Sequence, residues 1–567
     1  MGCRMNGSRT YALTVAITLV FLLFAPEIAA SAEIKLDADR ISFEETSGVA
    51  IAEGDVKISN EEITVLAPYM EYDSSTESVR AASTAEGGVT LMSAGTRING
   101  EKLDYNLSTR RGIFTKPNGR VEAFFVKGAS IEVMPLSDVT RYSPKGGASA
   151  EEQAAKWSGA VITTCNYPHP HYRLEAKELS VIPNRRIVIR KPKVYLGETL
   201  IFTYPFDFVS NIGAKSRFNK RSIFPKIGYE SDKGVGIGLS GPFVWDTGEL
   251  GLEAIWWSQN IWEGGALLQQ EVLPGVTAFG NLARTHDKDR DETLWRSKWG
   301  FWYDGDWQFE AAWSERELVT VEKSAGRDSR YVVWRKPELN IVSPWIDDRA
   351  ASGRYRLMGS WGKYEDASSG GGQPSIERYG AGVQIEGSFG NQSKNFEPFY
   401  NAIYWYYNYG SSESTESGTQ QIANAMLGAK WKLGDFDMES AYLRRWVWGQ
   451  SPMLWDSYEP REDVYQQIGV TIPTGSPDFW WRLALRGAYS LKDDTMAEML
   501  YKVLYNQHCL QWEVIYRDDM SGDDNWVGLK LTINAYPDSS VHLVGSDPFE
   551  PSTASDKFVP DFIKRRP

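Results

Sequence analysis

Apolar and polar residues alternate along most of the second half of this chain. In GVGIGLS, residues 234–240, a valine, an isoleucine and a leucine alternate with glycines. In RLALRGAYSL, residues 482–491, leucines and a tyrosine lie opposite Arg486 and Ser490. A period of two places successive side chains on opposite faces of a strand. Such runs, separated by polar turns, continue from about residue 221 to residue 537 and predict antiparallel β-structure throughout.

Aromatic residues lie near the ends of many of these segments. Their rings settle at headgroup depth, and lipid cannot hydrogen-bond an open strand edge, so the pattern predicts a closed transmembrane β-barrel. About 315 residues, at roughly 16 to 18 for each strand and turn, give about 18 to 20 strands. A soluble β-sandwich or propeller is the alternative. The aromatic residues are Trp256, Trp257, Trp302, Tyr404, Trp405, Trp446, Trp448, Trp480 and Trp481.

The first part of the chain carries an internal repeat. In each copy an aromatic residue on one strand is followed by a polar turn, a second strand and a glycine turn at Gly54, Gly87 or Gly119. A fixed period of this size predicts stacked strand pairs that share one apolar interior. Periodicity alone favours a packed core over an open groove, because apolar strand faces usually bury one another. The copies are residues 38–58, 67–91 and 100–123.

The first 32 residues predict a cleaved signal peptide. Arg4 and Arg9 form a basic region, residues 12–25 are mostly apolar, and Ala30-Ser31-Ala32 is an A-x-A cleavage site. An uncleaved anchor is the alternative, although about fourteen apolar residues are too few for a stable membrane-spanning helix. The expected domains are a signal peptide (1–32), a periplasmic stacked-strand domain (33–135), a connector (136–220), a transmembrane β-barrel (221–545) and a disordered tail (546–567).

Composition supports this division. All but one of the 22 tryptophans lie at or beyond Trp245, which places a boundary near residues 200–220. The formal net charge of -13 leaves no basic surplus to neutralise phosphates. Nucleic acid is therefore not an expected partner.

Cleavage of the signal peptide would remove Cys3 and leave two cysteines in the chain. In an oxidising compartment, Cys165 and Cys509 are expected to form an intramolecular disulfide. Cys165 with His169 and His171 loosely resembles a metal-binding spacing, but no fourth ligand lies nearby in sequence. A turn with two loop histidines is favoured there, and no metal site is predicted.

Catalytic motifs are not evident in the sequence. The five histidines are scattered, and no G-x-S-x-G elbow, Walker loop or H-E-x-x-H occurs. A lipid hydrolase that uses His286 and a nearby serine stays open as an alternative. We expect no catalytic residues, no enzyme activity and no cofactor.

Three segments resemble one known family. Residues 163–208 contain Thr164-Cys165, a strand pair and a closing Tyr204-Pro205-Phe206. Together with residues 221–257 and 505–518, they are similar to the LptD (OstA or Imp) family of lipopolysaccharide-assembly proteins. The N-terminal repeats look like the OstA-like β-jellyroll module that this family shares with the periplasmic carrier LptA. The resemblance implies an all-β protein of the outer membrane, with its N-terminal domain in the periplasm.

The resemblance also implies a function and its partners. Lipopolysaccharide would pass from an LptA-like bridge protein to the N-terminal domain, enter a barrel that holds an LptE-like lipoprotein plug, and leave sideways between the first and last strands. The barrel-assembly machinery is expected to act during folding. A porin or solute channel with an accessory periplasmic domain is the alternative. The expected lateral-gate residues are Pro225, Pro242, Val527, Leu529, Leu531 and Ile533.

The resemblance to the LptD family changes the interpretation of the repeats from a packed core to an open groove. It implies a groove for acyl chains, lined by Phe43, Ile51, Val56, Ile58, Val65, Met70, Tyr72, Leu91, Leu103, Tyr105 and Phe114. Better-known members have four cysteines that form two bridges, whereas this chain can form at most one. The resemblance implies that a bridge between Cys165 and Cys509 holds the lipid-accepting domain near the closing strands of the barrel.

Overall fold

A computed structural model describes residues 35–541 and divides the chain into two units, one ending at Ser108 and one beginning at Thr109. In the described part, no helix is long and apolar enough to cross a membrane. The signal peptide, the tail and Pro225 lie outside the described residues. Also outside are 60–62, 85–86, 94–95, 122–123, 139–152, 167, 183–185, 212–225, 246, 288–290, 325–326, 349–351, 367–374, 390–394, 411–417, 521–524 and 535.

The first unit consists of antiparallel strands, as the repeats predict. Gly54 lies at φ 75° in a β-bulge rather than in a turn, and an added Cβ would come 2.4 Å from Asp39 Oδ2. The strands are β1 (Lys35–Asp37), β2 (Arg40–Glu44), β3 (Val49–Ser59), β4 (Ile63–Asp73), β5 (Ser78–Ala82), β6 (Val89–Ser93), β7 (Thr96–Gly100) and β8 (Lys102–Asn106).

Cross-strand rows of apolar side chains hold the first unit together. One row runs through Ala52, Met70, Ala81 and Leu103 across β3, β4, β5 and β8, and all four side chains are buried. A second row, Ile58–Val65–Leu91–Ile98, crosses β3, β4, β6 and β7. Burial of such rows is the main source of stability in a sheet of short strands.

The second unit begins with ten strands before the barrel. Residues 136–220 are therefore not a connector as predicted, because six of these strands lie within that range. A single 3₁₀ turn, Leu136–Asp138, follows the fourth strand. The strands are β9 (Arg111–Thr115), β10 (Asn118–Val121), β11 (Phe124–Lys127), β12 (Ser130–Pro135), β13 (Gln153–Thr163), β14 (Tyr172–Ile182), β15 (Arg186–Ile189), β16 (Lys193–Leu196), β17 (Thr199–Thr203) and β18 (Phe208–Asn211).

These ten strands have an apolar interior of their own. Phe114, Ile131, Trp157, Leu179 and Ile189 face one another across β9, β12, β13, β14 and β15, and each is at most 2% exposed. Trp157, which composition analysis leaves isolated from the other tryptophans, is thus the centre of this core.

The remaining strands form a closed antiparallel barrel of 18 strands, which confirms the predicted fold class. β19 pairs with β37 to close the ring. Two of the twenty strands lie outside it: the short β27, because β26 pairs directly with β28, and β38, which pairs with β37 beyond the β19–β37 ladder. The strands are β19 (Lys226–Glu230), β20 (Gly234–Trp245), β21 (Gly248–Trp257), β22 (Trp262–Leu273), β23 (Val276–Asp287), β24 (Glu292–Asp304), β25 (Gln308–Ser324), β26 (Arg327–Val342), β27 (Ile346–Asp348), β28 (Gly353–Asp366), β29 (Ile376–Ser388), β30 (Phe396–Gly410), β31 (Gly418–Leu433), β32 (Phe436–Gly449), β33 (Arg461–Ser476), β34 (Phe479–Ser490), β35 (Thr495–Gln507), β36 (Leu510–Asp519), β37 (Trp526–Ile533) and β38 (Tyr536–Val541).

The barrel is apolar outside and polar inside, as a bilayer-spanning barrel requires. Val235, Ile237 and Leu239 are exposed on its outer face, whereas Arg486 and Ser490 are buried on its inner face. Of the predicted aromatic belt, Trp256, Tyr404, Trp448 and Trp481 are exposed. Trp257 and Trp405, by contrast, are buried on the inner side. Adjacent residues of a strand point to opposite faces, so only one aromatic of each neighbouring pair faces outward.

Candidate functional site

The seam that closes the barrel is short. In the described residues, β19 and β37 pair only from Ile227–Glu230 to Trp526–Leu529, which is four residues on each strand. By contrast, β30 and β31 pair over fourteen residues, and β36 pairs with β37 over eight. Within the described residues, where β19 begins at Lys226, the seam therefore has the fewest paired residues among the strand pairs that form the ring.

The closing edge of β37 is shared by two strands. β36 pairs along the whole of β37, so β19 and β38 must lie on its other edge. There β19 takes Trp526–Leu529, while β38 meets Leu531 and Ile533 in a hairpin. Pro537 lies inside β38, beyond the end of β37 at Ile533. Proline is tolerated in a strand at an edge.

The predicted gate residues separate into two groups. Val527 and Leu529 lie opposite β19, and Leu531 and Ile533 lie in the part of β37 that meets β38. Pro242 lies in β20 opposite Gly251 of β21 and takes no part in the β19–β37 ladder. Pro242 was expected among the lateral-gate residues, but it lies one strand away from the seam. Pro225 lies outside the described residues.

Glycines line the inner side of the seam. Gly228 faces Gly528 across the seam and Gly236 across the β19–β20 pair. The exposed neighbours Ile227 and Tyr229 point outward, so this row of three glycines faces the lumen. Glycine offers no side chain to pack across a pair, which weakens the sheet here and leaves the inner wall free of side chains.

A loop between β32 and β33 folds into the lumen. Met453, Trp455 and Asp456 are buried there against inner-wall residues of β26 to β31. Arg378 Nη1 on β29 lies 2.9 Å from Asp456 Oδ1. The Tyr409 hydroxyl donates a 2.6 Å hydrogen bond to Asp456 Oδ2. We call residues 450–460 the lumen loop; it narrows the barrel from within.

Most of the predicted groove residues form a packed interior. Seven of them are at most 7% exposed, and Phe114 is equally buried but belongs to the second unit. Ile51 lies on the face opposite Ala50 and Ala52, and Tyr72 is half-buried beside Ala50. An open groove is not seen at these positions, so acyl-chain binding stays a prediction. The seven are Val56, Ile58, Val65, Met70, Leu91, Leu103 and Tyr105.

One edge of the first unit remains apolar and exposed. On β2, Ile41 pairs with Ala52 and Phe43 pairs with Ala50, so both continue the rows of the interior. They are 48% and 61% exposed. Of the predicted groove residues, Phe43 is thus the one that solvent reaches most freely.

The structure brings Cys165 and Cys509 together. Both cysteines are buried and are thiols in the structure, and the expected disulfide stays a prediction. Two histidines join them, one from the loop before β14 and one from the turn between β35 and β36. Cys165 Sγ lies 3.5 Å from His171 Nδ1 and 3.6 Å from His508 Nδ1, and Cys509 Sγ lies 3.4 Å from His171 Nδ1. The hydrogen bond with the Cys165 thiol, together with burial, raises the pKa of Cys509.

We call these four residues the Cys/His cluster. Sequence reasoning considered Cys165 with His171 and paired Cys165 with Cys509, but it did not join these sets or include His508. His171 and Cys509 are 338 residues apart, so no local spacing could join them. The expectation that Cys165 meets Cys509 was a usable signal, because it also places His508 beside His171. His286, the candidate for an enzyme, instead lies 3.0 Å from Thr293 Oγ1 within the barrel wall.

Comparisons with known proteins give only distant likenesses. No family model and no curated protein match the sequence. OccK10 of Pseudomonas aeruginosa matches at 9% identity and a TM-score of 0.29, over 57% of this chain and 97% of that one. A bacterial polysaccharide outer membrane secretin matches at 10% and 0.26, over 54% and 94%. The translocation pore of the P pilus usher PapC matches at 9% and 0.21, over 89% and 98%. At TM-scores this low we draw neither fold nor function from them.

Proposed function

We propose that this protein is an outer-membrane transporter that releases lipopolysaccharide into the outer leaflet through the seam between β19 and β37. The observation that carries the proposal is the four-residue ladder that closes the ring. A transporter for solutes has no need of a weak seam, whereas a lipid must reach the bilayer sideways.

The two faces of the barrel wall suit an amphipathic cargo. The inner wall carries buried polar and charged side chains such as Arg356, Gln384 and Arg486, which can solvate a sugar portion. Beyond the seam, the outer face offers Ile227 and Tyr229 to acyl chains. The row Gly228, Gly236 and Gly528 leaves the wall between them without side chains. A glycolipid can therefore keep each of its parts in a matching environment while it crosses.

The first unit supports the expected supply of lipid from the periplasm. Ile41 and Phe43 expose apolar area beside a buried apolar interior. An exposed apolar strand is a surface on which another sheet can add. This surface fits docking of an LptA-like carrier, and the resemblance of residues 163–208 to the LptD family points to the same partner. The lumen loop occupies part of the space where an LptE-like plug would bind.

A reversible crosslink across the seam tests the proposal. Cysteines at Tyr229 and Val527, which lie opposite each other, would join β19 to β37. We expect the crosslinked protein to stop delivering lipopolysaccharide to the cell surface, and reduction to restore delivery. A matched pair at Ile237 and Trp256 joins β20 to β21, away from the seam, and should leave delivery unchanged. Normal delivery through a fully crosslinked seam would refute lateral release.

The same cells test the second candidate function. The charged inner wall also suits an outer-membrane solute channel, which would conduct through the lumen. Uptake of a small hydrophilic solute does not need the seam, so a channel would keep its permeability when β19 and β37 are joined. If the crosslink stops lipopolysaccharide delivery and leaves solute uptake unchanged, lateral release is supported. If both delivery and uptake continue, the channel is favoured.

A further inference from the structure

Four metal-ligating side chains converge in the Cys/His cluster of the second unit. Cys165, His171, His508 and Cys509 each offer one ligand atom, and these atoms all lie within 4.8 Å of one another. Both sulfur atoms belong to buried residues, and the two histidines are half-buried. The cluster is thus shielded from solvent and rich in soft donors.

The distances match a tetrahedral zinc site. With Zn–S of about 2.3 Å and Zn–N of about 2.0 to 2.1 Å, sulfur and nitrogen at two corners of a tetrahedron lie roughly 3.6 Å apart. Three of the four sulfur–nitrogen distances in the cluster are 3.4, 3.5 and 3.6 Å, and all four ligand atoms lie within 4.8 Å of one another. A set of two thiolates and two imidazoles favours zinc over the hard cations magnesium and calcium.

The backbone around the ligands is held in place by neighbouring strands. Cys165 N–H donates a 3.0 Å hydrogen bond to Thr163 Oγ1, and the carbonyl of His171 accepts one from Gly197. In the turn, His508 N–H donates to the Asp478 carbonyl, and Cys509 accepts from Asn534 N–H. These bonds fix the ligands before a metal arrives, which reduces the entropy lost on binding.

The turn between β35 and β36 holds His508 in a left-handed backbone conformation. His508 has φ 52°, in the left-handed region where glycine or asparagine is favoured. Phe479 packs edge-on against the His171 ring, with ring centres 5.9 Å apart, and restricts its orientation. In this arrangement His171 Nδ1 lies near both sulfurs, and His508 Nδ1 lies 3.6 Å from Cys165 Sγ.

We propose that Cys165, His171, His508 and Cys509 bind one zinc ion as a closed structural site. Binding converts two thiols to thiolates and releases two protons, with no change of oxidation state. The ion would clamp the loop between β13 and β14 to the turn before β36, next to the strand β37 that closes the barrel. A disulfide would use only the two sulfurs, and zinc and disulfide exclude each other at this site. This inference holds whatever cargo the barrel carries.

Metal content of the full chain, purified in detergent without added metal or reductant, tests the site. We expect about one zinc per chain in the wild type and its loss in His171→Ala and in His508→Ala. The matched control is His169→Ala, because His169 is exposed and lies outside the cluster. Heat-modifiable mobility on a gel establishes that each variant retains a folded barrel.

Thiol labelling distinguishes zinc from the disulfide. A zinc-bound wild type would react with maleimide only after a chelator is added, without reductant. Cobalt added to the metal-free wild type should give a thiolate-to-cobalt absorption band, a readout that needs no variant. The proposal is overturned by metal-free protein that gives no cobalt band, by labelling that needs reductant alone, or by histidine variants that keep wild-type zinc.

Discussion

At the scale of single residues, Asp456 and Arg378 decide the position of the lumen loop. Their side chains are 1% and 8% exposed, and Arg378 also lies over the rings of Tyr407 and Trp455 at 4.6 and 5.1 Å. Two charges taken out of water are tolerated only when they pair closely and their remaining atoms are hydrogen-bonded. The hydroxyl of Tyr409 and the carboxylate of Glu338 provide such contacts.

Removal of the Asp456 carboxylate should release the lumen loop. Asp456→Ala leaves the Arg378 guanidinium with its hydrogen bond to the Tyr364 hydroxyl and with Glu338 as a more distant carboxylate. A broken buried ion pair costs about 3 to 5 kcal/mol. We expect a lower unfolding midpoint in urea and a higher ion conductance in planar bilayers. Glu459→Ala is the control, since its pairing with Lys492 is exposed and worth little. Unchanged conductance in Asp456→Ala would mean that the loop does not narrow the path.

At the scale of strands, stability is unevenly distributed around the ring. The long ladders of β25 to β35 share many hydrogen bonds, whereas β19 is five residues long and β37 eight. β19 also has glycine neighbours on both sides, at Gly236 and Gly528. Short strands with little cross-strand packing open most easily.

Amide hydrogen exchange should locate this weak point. In the purified barrel, the amides of Ile227–Glu230 and Trp526–Leu529 are expected to exchange faster than those of the central pair β30–β31 around Ala402 and Ala425. Exchange read by mass spectrometry of peptides from both regions of one sample provides the comparison. Equal protection in the two regions would show that the seam is as stable as the rest of the ring.

The same strands show what sequence can and cannot predict. Alternation in residues 234–240 and 482–491 oriented those strands because a period of two is a local property. The resemblance to the LptD family, rather than periodicity, identified Val527 and Leu529 as closing residues. The sequence did not predict β38, because Pro537 indicates the end of a strand. It did not predict the Cys/His cluster, because Cys165 and His171 meet His508 and Cys509 only in the folded chain. Pairing between distant segments leaves no mark on local spacing.

At the scale of the whole molecule, each unit has an interior of its own. The apolar row through Met70 and Leu103 lies within the first unit, while the row through Trp157 lies in the second. Segments with separate cores can fold separately. The tryptophan distribution predicts a boundary near residues 200–220. The all-β fold class was predictable from the alternating segments and the repeats. The boundary at Ser108 was not, because β9 to β12 continue the repeat pattern while packing with β13.

Deletion of residues 33–108 should separate folding from transport. We expect the shortened protein to reach the outer membrane with heat-modifiable mobility, because the core of the second unit is intact, yet to deliver no lipopolysaccharide to the surface. Phe43→Asp in the full chain is the milder companion, because it places a charge on the exposed edge of β2 without disturbing buried rows. Surface delivery is measured by labelling intact cells. Normal delivery by the shortened protein would remove the first unit from the path.

The shared edge of β37 has a consequence for how the seam would open under the proposed lateral release. β19 and β38 hold adjacent parts of one strand edge, so an advance of either along β37 displaces the other. When β19 loses hydrogen bonds to β37, β38 can form hydrogen bonds with the same part of β37, and the reverse also holds. The exchange resembles strand displacement in nucleic acids. Opening by such a swap avoids leaving bare backbone groups in lipid, which is the main barrier to parting any sheet within a membrane.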